Sequence, residues 1–436
     1  MADAPHLVIV GGGFGGLDAA RALAGAPVRI TLIDRQNYHL FQPLLYQVAT
    51  AALSPGDIAS PIRWVLRHQS NVKVLLAEVR GIEVAARRIV MRGSHVETTI
   101  PYDYLIVATG ATHAYFGHPE WASRAPGLKT LDDALEIRRE VLRAFEAAEQ
   151  ETDPAAARRL LTFVIVGGGP TGVELAGALA EIARHSLRED FRSINPESAR
   201  IVLIEASHDL LGAFPVPLRH AARQSLERLG VEVRTGFPVT VVDEEGVTSG
   251  GERISAQTVL WAAGVAASPL ARWLGVPVDR AGRVPAEPDL TVPGHPEIFV
   301  AGDICSLQQD GAPLPGVAQV AKQEGVHAAQ NVLRAIRGEP RRAFRYRDYG
   351  NMATIGRGSA VAAIGPLKMS GFVAWLIWLF IHIFWLIGFR NRFTVMSQWA
   401  FSYLTMQRGV RLITGGQLWP GSEKSAGTPP ELTRQP

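Results

Sequence analysis

A chain of 436 residues is long enough for two or three domains, and 47% hydrophobic with 19% charged residues is the composition of a globular protein. One cysteine, Cys305, excludes an intramolecular disulfide, a CxxC redox pair and a cysteine metal cluster, and no metal-binding residues are singled out. The net charge of +3 hides an asymmetry: residues 337–436 hold 13 Lys/Arg against 4 Asp/Glu, a basic end that suits nucleic acid or an anionic membrane.

Met1 leads within six residues into the apolar run "HLVIV" with no basic-apolar signal before it, so the chain is expected to begin in the cytoplasm. That run opens "HLVIVGGGFGGLDAARALAGAPVRITLID", which reads as strand, glycine turn, alanine-rich helix and second strand. Gly11, Gly13 and Gly16 supply a GxGxxG turn, and Asp34 ends the next strand. The first glycine allows a tight turn, the second lets a pyrophosphate reach the helix amides, and the third lets helix and strand pack closely. A later strand, "YDYLIVATG", closes on Thr109 and Gly110. The polar helix "LDDALEIRREVLRAFEAAEQET" then serves as a connector over residues 121–158.

The pattern repeats in "LTFVIVGGGPTGVELAGALAEIA" and "RIVLIEAS", with Gly167, Gly169, Gly172 and Glu205 in the matching places and "QTVLWAAG" closing on Gly264. One GxGxxG is a weak signal. Two copies, each after a strand, before a helix and followed by an acid, imply two dinucleotides. Asp34 and Glu205 would each accept from a ribose, and a carboxylate at Glu205 repels a 2′-phosphate, which favours NADH over NADPH. The strand "EIFVAGD" brings in Asp303, and a helix from about Val317 to Arg337 carries "AQVAKQEG". Gln319 and Gln323 share a face of that helix, either as solvated side chains or as amides aimed at a polar ligand.

The basic stretch "RGEPRRAFRYR" precedes "GFVAWLIWLFIHIFWLIGF", nineteen residues without a formal charge. At ~1.5 Å per residue this could just cross a core of ~30 Å. Lys368 lies before it and Arg390 and Arg392 after it, and the following segment is amphipathic. A buried hairpin, a transmembrane anchor and a monotopic pair of helices all fit, and the last fits best. Such a run has no use in nucleic-acid binding, so no nucleic acid is expected.

The two nucleotide motifs together resemble the two-dinucleotide-binding-domain flavoprotein oxidoreductases. "NYHLFQPLLYQVATAALSPGDIASPIR", "AQVAKQEG" and "LKMSGFVAWLIWLFIHIFWLIGFRNRF" narrow the resemblance to the type II NADH:quinone oxidoreductases, over about residues 5–415. The implied fold is α/β, with two Rossmann-like domains for FAD and NADH plus a C-terminal membrane-associated helical region. The implied layout is FAD domain at 1–120 and 285–345, NADH domain at 159–284, membrane-anchoring region at 346–420 and a disordered tail at 421–436. The implied activity is non-proton-pumping transfer from NADH through FAD to membrane quinone (ubiquinone or menaquinone). By the same resemblance Asp303 holds the flavin's ribityl–phosphate region, Gln319 and Gln323 line the quinone pocket, and Glu174 lies at the nicotinamide–flavin–quinone junction. Glu174 would relay a proton or hold the nicotinamide, though an acid in a first helical turn also simply suits the helix dipole. Lys368 faces the quinone tunnel or lipid headgroups. His382 reads as a packed histidine and Cys305 as a small core residue. The implied partner is the bilayer surface at the cytoplasmic face of the cell membrane, with room for a homodimer. Two other readings share the nucleotide folds: an NADH-dependent reductase of a small electron-carrier protein, and an NADH-sensing redox protein resembling apoptosis-inducing factor.

Overall fold

The computed structural model describes residues 4–93, 96–387, 389–405 and 410–415. Strand His6–Val10 is buried along its whole length, as a parallel sheet covered on both faces demands. It lies inside a six-stranded sheet in the order Thr291–Val292, His295–Val300, Tyr104–Val107, His6–Val10, Arg29–Asp34, Val72–Leu76, parallel except for the first pair. Chain from both ends of residues 6–300 therefore builds one sheet. Helix Phe14–Ala22 runs from the first glycine turn and packs on helix Ala318–Ile336. A Cβ on Gly325 would stand 2.0 Å from the carbonyl oxygen of Gly15, so the two backbones touch. This contact brings "AQVAKQEG" beside the first glycine turn. Gly325→Ala must part the helices; we expect a loss of about 1–3 kcal/mol together with a lower flavin-to-protein absorbance ratio, checked by thermal unfolding and visible absorption.

The second unit is a four-stranded parallel sheet, Val231–Thr235, Arg200–Glu205, Thr162–Val166, Thr258–Trp261. Helix Leu131–Gln150 joins the units. Thr130 caps it, with Asp133 returning the bond in a capping box. It is amphipathic rather than a purely polar connector: Leu131, Ala134, Ile137, Val141 and Phe145 are buried in the larger core with helix Leu45–Ala49. Strand Ala111–His113 pairs antiparallel with Val265–Ala267, tying the units a second time. The return to the first unit comes before residue 285: Ala267, Ala271, Leu274 and Val284 already pack in its core.

The C-terminal region carries a small sheet ahead of its helices. Asn351–Gly356, Ser359–Ile364 and Leu367–Gly371 form an antiparallel sheet. It seats on helix Pro170–Glu181 of the second unit, where a Cβ on Gly177 would lie 1.8 Å from the Ile355 carbonyl oxygen. Helix Phe372–Trp385 follows, and its 14 residues reach about 21 Å. The apolar run then breaks where Leu386 turns extended (ψ 133°), before helix Phe389–Thr405. Among the described residues no helix is long and apolar enough to cross a membrane. The tail at 421–436 lies outside the described residues.

Candidate functional site

The two glycine turns are built alike. Gly11 and Gly167 have φ of +104° and +112°, a region that L side chains avoid. A Cβ on Gly16 or Gly172 would lie 1.8 Å from the carbonyl oxygen of Gly11 or Gly167. Gly13 and Gly169 begin the two helices with open space around them and no side-chain cap. The first amides of each helix are therefore free for an anion. Asp34 accepts from Gly12 N–H (2.5 Å) and Gln36 N–H (2.7 Å). Glu205 accepts from Gly168 N–H (2.5 Å) and Ser207 N–H (2.7 Å). Each carboxylate thus braces its own turn and keeps lone pairs for ribose hydroxyls. Burial pushes the Asp34 carboxyl above its ordinary range, and the turn amides oppose this.

Around the first turn, Thr109 and Gly110 follow strand Tyr104–Val107, and the Thr109 hydroxyl is buried without a partner. Asp303 sits in the short turn Gly302–Ile304, with the Lys129 ammonium 3.9 Å away. An orphaned hydroxyl, an uncapped helix start and an acid at each flank fit a dinucleotide such as FAD. Gly264 closes the second turn beside Ala262 and Ala263, whose backbone abuts Gly167. That unit fits NADH.

Gln319 and Gln323 share a face, as expected, but what they meet is the chain itself. Gln319 donates to the Gly350 carbonyl (2.9 Å) and accepts from Tyr349 N–H (3.1 Å). Gln323 donates to the Arg347 carbonyl (2.9 Å) and accepts from Arg347 N–H (3.0 Å). The same face continues with His327 on the Arg342 carbonyl (2.8 Å) and Asn331 clasping Arg342 through N–H and C=O. Four polar side chains at every fourth residue pin an extended strap along the helix. Each glutamine keeps one N–H and one lone pair beyond the strap.

Glu324 lies in the same motif and sequence reasoning passed over it. It is buried, accepts from Gly302 N–H (2.6 Å) and bonds to Cys305, so it ties the helix to the turn bearing Asp303. Burial pushes its carboxyl up to about 8. Because this folded-state value lies above the unfolded one, the group's contribution falls as pH rises from about 4.5 to 8. Glu324→Gln, which keeps the acceptor, should therefore raise the thermal midpoint more at pH 9 than at pH 6, as calorimetry at the two pH values would read.

Glu174 lines a cavity of about 50 Å³ with Tyr46, Gln47, Thr354, Arg357 and Trp399. That volume holds a few waters and no quinone ring. Burial drives the Glu174 carboxyl well above its ordinary range, opposed by the Thr354 N–H. Tyr46 accepts from Gln47 (2.9 Å), which accepts from the Trp399 indole (2.7 Å), so the C-terminal helix closes this wall. Glu181, two turns along the same helix, and Arg357 flank the cavity. Lys368 is not part of this group: it is exposed on the edge strand Leu367–Gly371, opposite Ala363. His382 is packed as expected, stacked on Trp378 and bonded to its carbonyl (2.7 Å). Burial lowers its imidazole to about 4.

Residues 5–325 match the family model described as pyridine nucleotide-disulphide oxidoreductase. The chain is 47% identical to the type II NADH:quinone oxidoreductase NdhA of Mycobacterium tuberculosis, over 95% of this chain and 90% of that protein. The chain belongs to the type II NADH:quinone oxidoreductases. The Ndh protein of the same organism is also 47% identical, over 94% of this chain and 91% of its own length. The fold matches the NDH2 of Plasmodium falciparum in complex with NADH, with a TM-score of 0.86 and 21% identity over 94% of this chain and 100% of that one. Within this family the pair of glycine turns accounts for the two nucleotides. The lone buried Cys305 leaves no thiol pair for the disulphide chemistry in the broader family's name.

Proposed function

We propose that the protein is an FAD-dependent NADH:quinone oxidoreductase that works at a bilayer surface. The single observation that carries this is the pair of matched glycine turns on two linked sheets, each with its own acid, in a chain whose C-terminal helix Phe372–Trp385 exposes Phe372, Phe380 and Phe384. FAD bound at Gly11–Gly16 supplies a two-electron carrier between NADH and quinone. The first-unit residues Asp34, Thr109 and Asp303 hold and orient it. Gly167, Gly169, Gly172, Glu205 and Gly264 hold NADH. The apolar sides of Ala318 and Ala321 leave room for a flat quinone ring at the start of helix Ala318–Ile336, and the remaining amide valences of Gln319 and Gln323 border that space. Reducing a quinone also takes two protons, and Glu174 stands beside a water-sized polar cavity with burial raising its carboxyl well above the ordinary range.

The aromatic helix gives the bilayer its footing. Phe372, Val373, Phe380 and Phe384 are exposed on one side, while Ala374, Trp375 and Trp378 are buried on the other. Arg392 stands 5.6 Å over the Phe384 ring, a cation at the aromatic border. This is the arrangement of a helix lying in an interface, and the cytoplasmic face supplies NADH. Steady-state NADH oxidation with a short-chain quinone tests the activity: the protein should turn over in its presence and stay near background without it. Quinone-independent oxidation, or none, would reject the proposal.

A further inference from the structure

Phe116 is an anomaly that neither glycine turn explains. Its side chain is 67% exposed, and its backbone takes φ +50°, a region that bulky residues rarely enter. A ring left mostly exposed by an unfavourable backbone gains little for the fold. Its position is nevertheless well held. Ala114 N–H donates to the Gly264 carbonyl (3.2 Å), and the Trp261 indole donates to the Ala114 carbonyl (2.9 Å). The Phe116 ring consequently lies directly on Gly264: a Cβ there would be 2.7 Å from its tip. Gly264 follows Ala262 and Ala263, the backbone that abuts Gly167. The ring is thus one step from the second glycine turn. It stands on the side where Ala111–His113 and Val265–Ala267 pair the two units, across Gly167 from Glu205. Glu205 marks the adenosine ribose, so the end nearer the first unit takes the nicotinamide half.

We propose that Phe116 is a binding residue for NADH, an aromatic wall that closes over the nicotinamide half of the dinucleotide at Gly264. The proposal rests on the NADH reading of the second unit. Gly264 has no side chain because the ring must pass there. Trp261, with its ring centre 6.3 Å away, backs the wall from beneath.

Phe116→Gly separates binding from structure, because glycine tolerates the positive φ and removes only an exposed ring. The thermal midpoint and FAD content should hold or rise. The KM for NADH should rise about tenfold, with kcat within about twofold, from the loss of one aromatic contact. The Kd for NAD⁺ by calorimetry on the holoenzyme should weaken in step, and Phe116→Trp should restore both. Gly264→Ala, whose methyl displaces the ring, should add little to Phe116→Gly if the two act through one contact. The proposal is overturned if KM and Kd move less than twofold, or if affinity falls only in proportion to lost FAD. Failure of the parent reading looks different: the unaltered protein would itself show no NADH oxidation.

Discussion

Glu174→Gln is expected to lower NADH-dependent quinone reduction by about 10²-fold, the scale at which a positioned acid or base contributes. FAD content and folding should be retained, because glutamine has the same shape and still accepts from the Thr354 N–H. The direction follows from chemistry and placement together. Burial favours the protonated acid, so Glu174 holds a proton where an exposed carboxyl would not. The cavity beside it is of water size and is also lined by Glu181 and Arg357, polar groups through which the proton could be replaced. The unaltered enzyme should lose rate as pH rises and this acid ionises, and the variant should lack that limb of the profile. The rapid step in which NADH bleaches the flavin, followed by stopped flow, should change far less than the return with quinone. Full turnover in the variant, or the same fall with rising pH, would remove Glu174 from the proton's path.

The second large effect concerns the membrane. Phe380 and Phe384 are 67% and 69% exposed, one turn apart on helix Phe372–Trp385. Burying one such side chain is worth about 1.5–3 kcal/mol. Changing both to glutamate should therefore lower partition onto anionic vesicles by about 10²–10⁴-fold, read by flotation or sedimentation. Reduction of a short-chain, water-soluble quinone should persist, because neither side chain lines the dinucleotide turns. Reduction of a long-chain quinone embedded in vesicles should fall with the partition. Vesicle binding that survives the double change would place the footing elsewhere, with the arginines of the strap next in line.

Both predictions draw on residues of very different legibility. The nucleotide units were readable because their chemistry is local: a turn with no room for a Cβ leaves glycine at a fixed spacing, and Asp34 and Glu205 fall where the next strand ends. The glutamine pair was readable as a shared face and unreadable as a contact, since the strap it holds is 24 to 31 residues away along the chain. Glu324 was hidden for the opposite reason. It sits in the quoted motif, but an acid on a helix gives no sign that it is buried until the turn at Gly302 is placed against it. The sheet at 351–371 was masked by its neighbours, because short alternating strands beside a long apolar run carry little signal of their own. Phe116 could not be suspected from sequence at all: its positive φ and its seat on Gly264 exist only after two distant strands pair. Lys368 shows the converse limit, where proximity in sequence to the aromatic helix says nothing of which side of an edge strand it takes.

The most direct measurement is an anaerobic titration of the purified protein followed by its visible absorption. The account expects a yellow protein that one equivalent of NADH bleaches and one equivalent of a short-chain benzoquinone restores. A colourless preparation, or a bleached form that the benzoquinone leaves bleached, would contradict it.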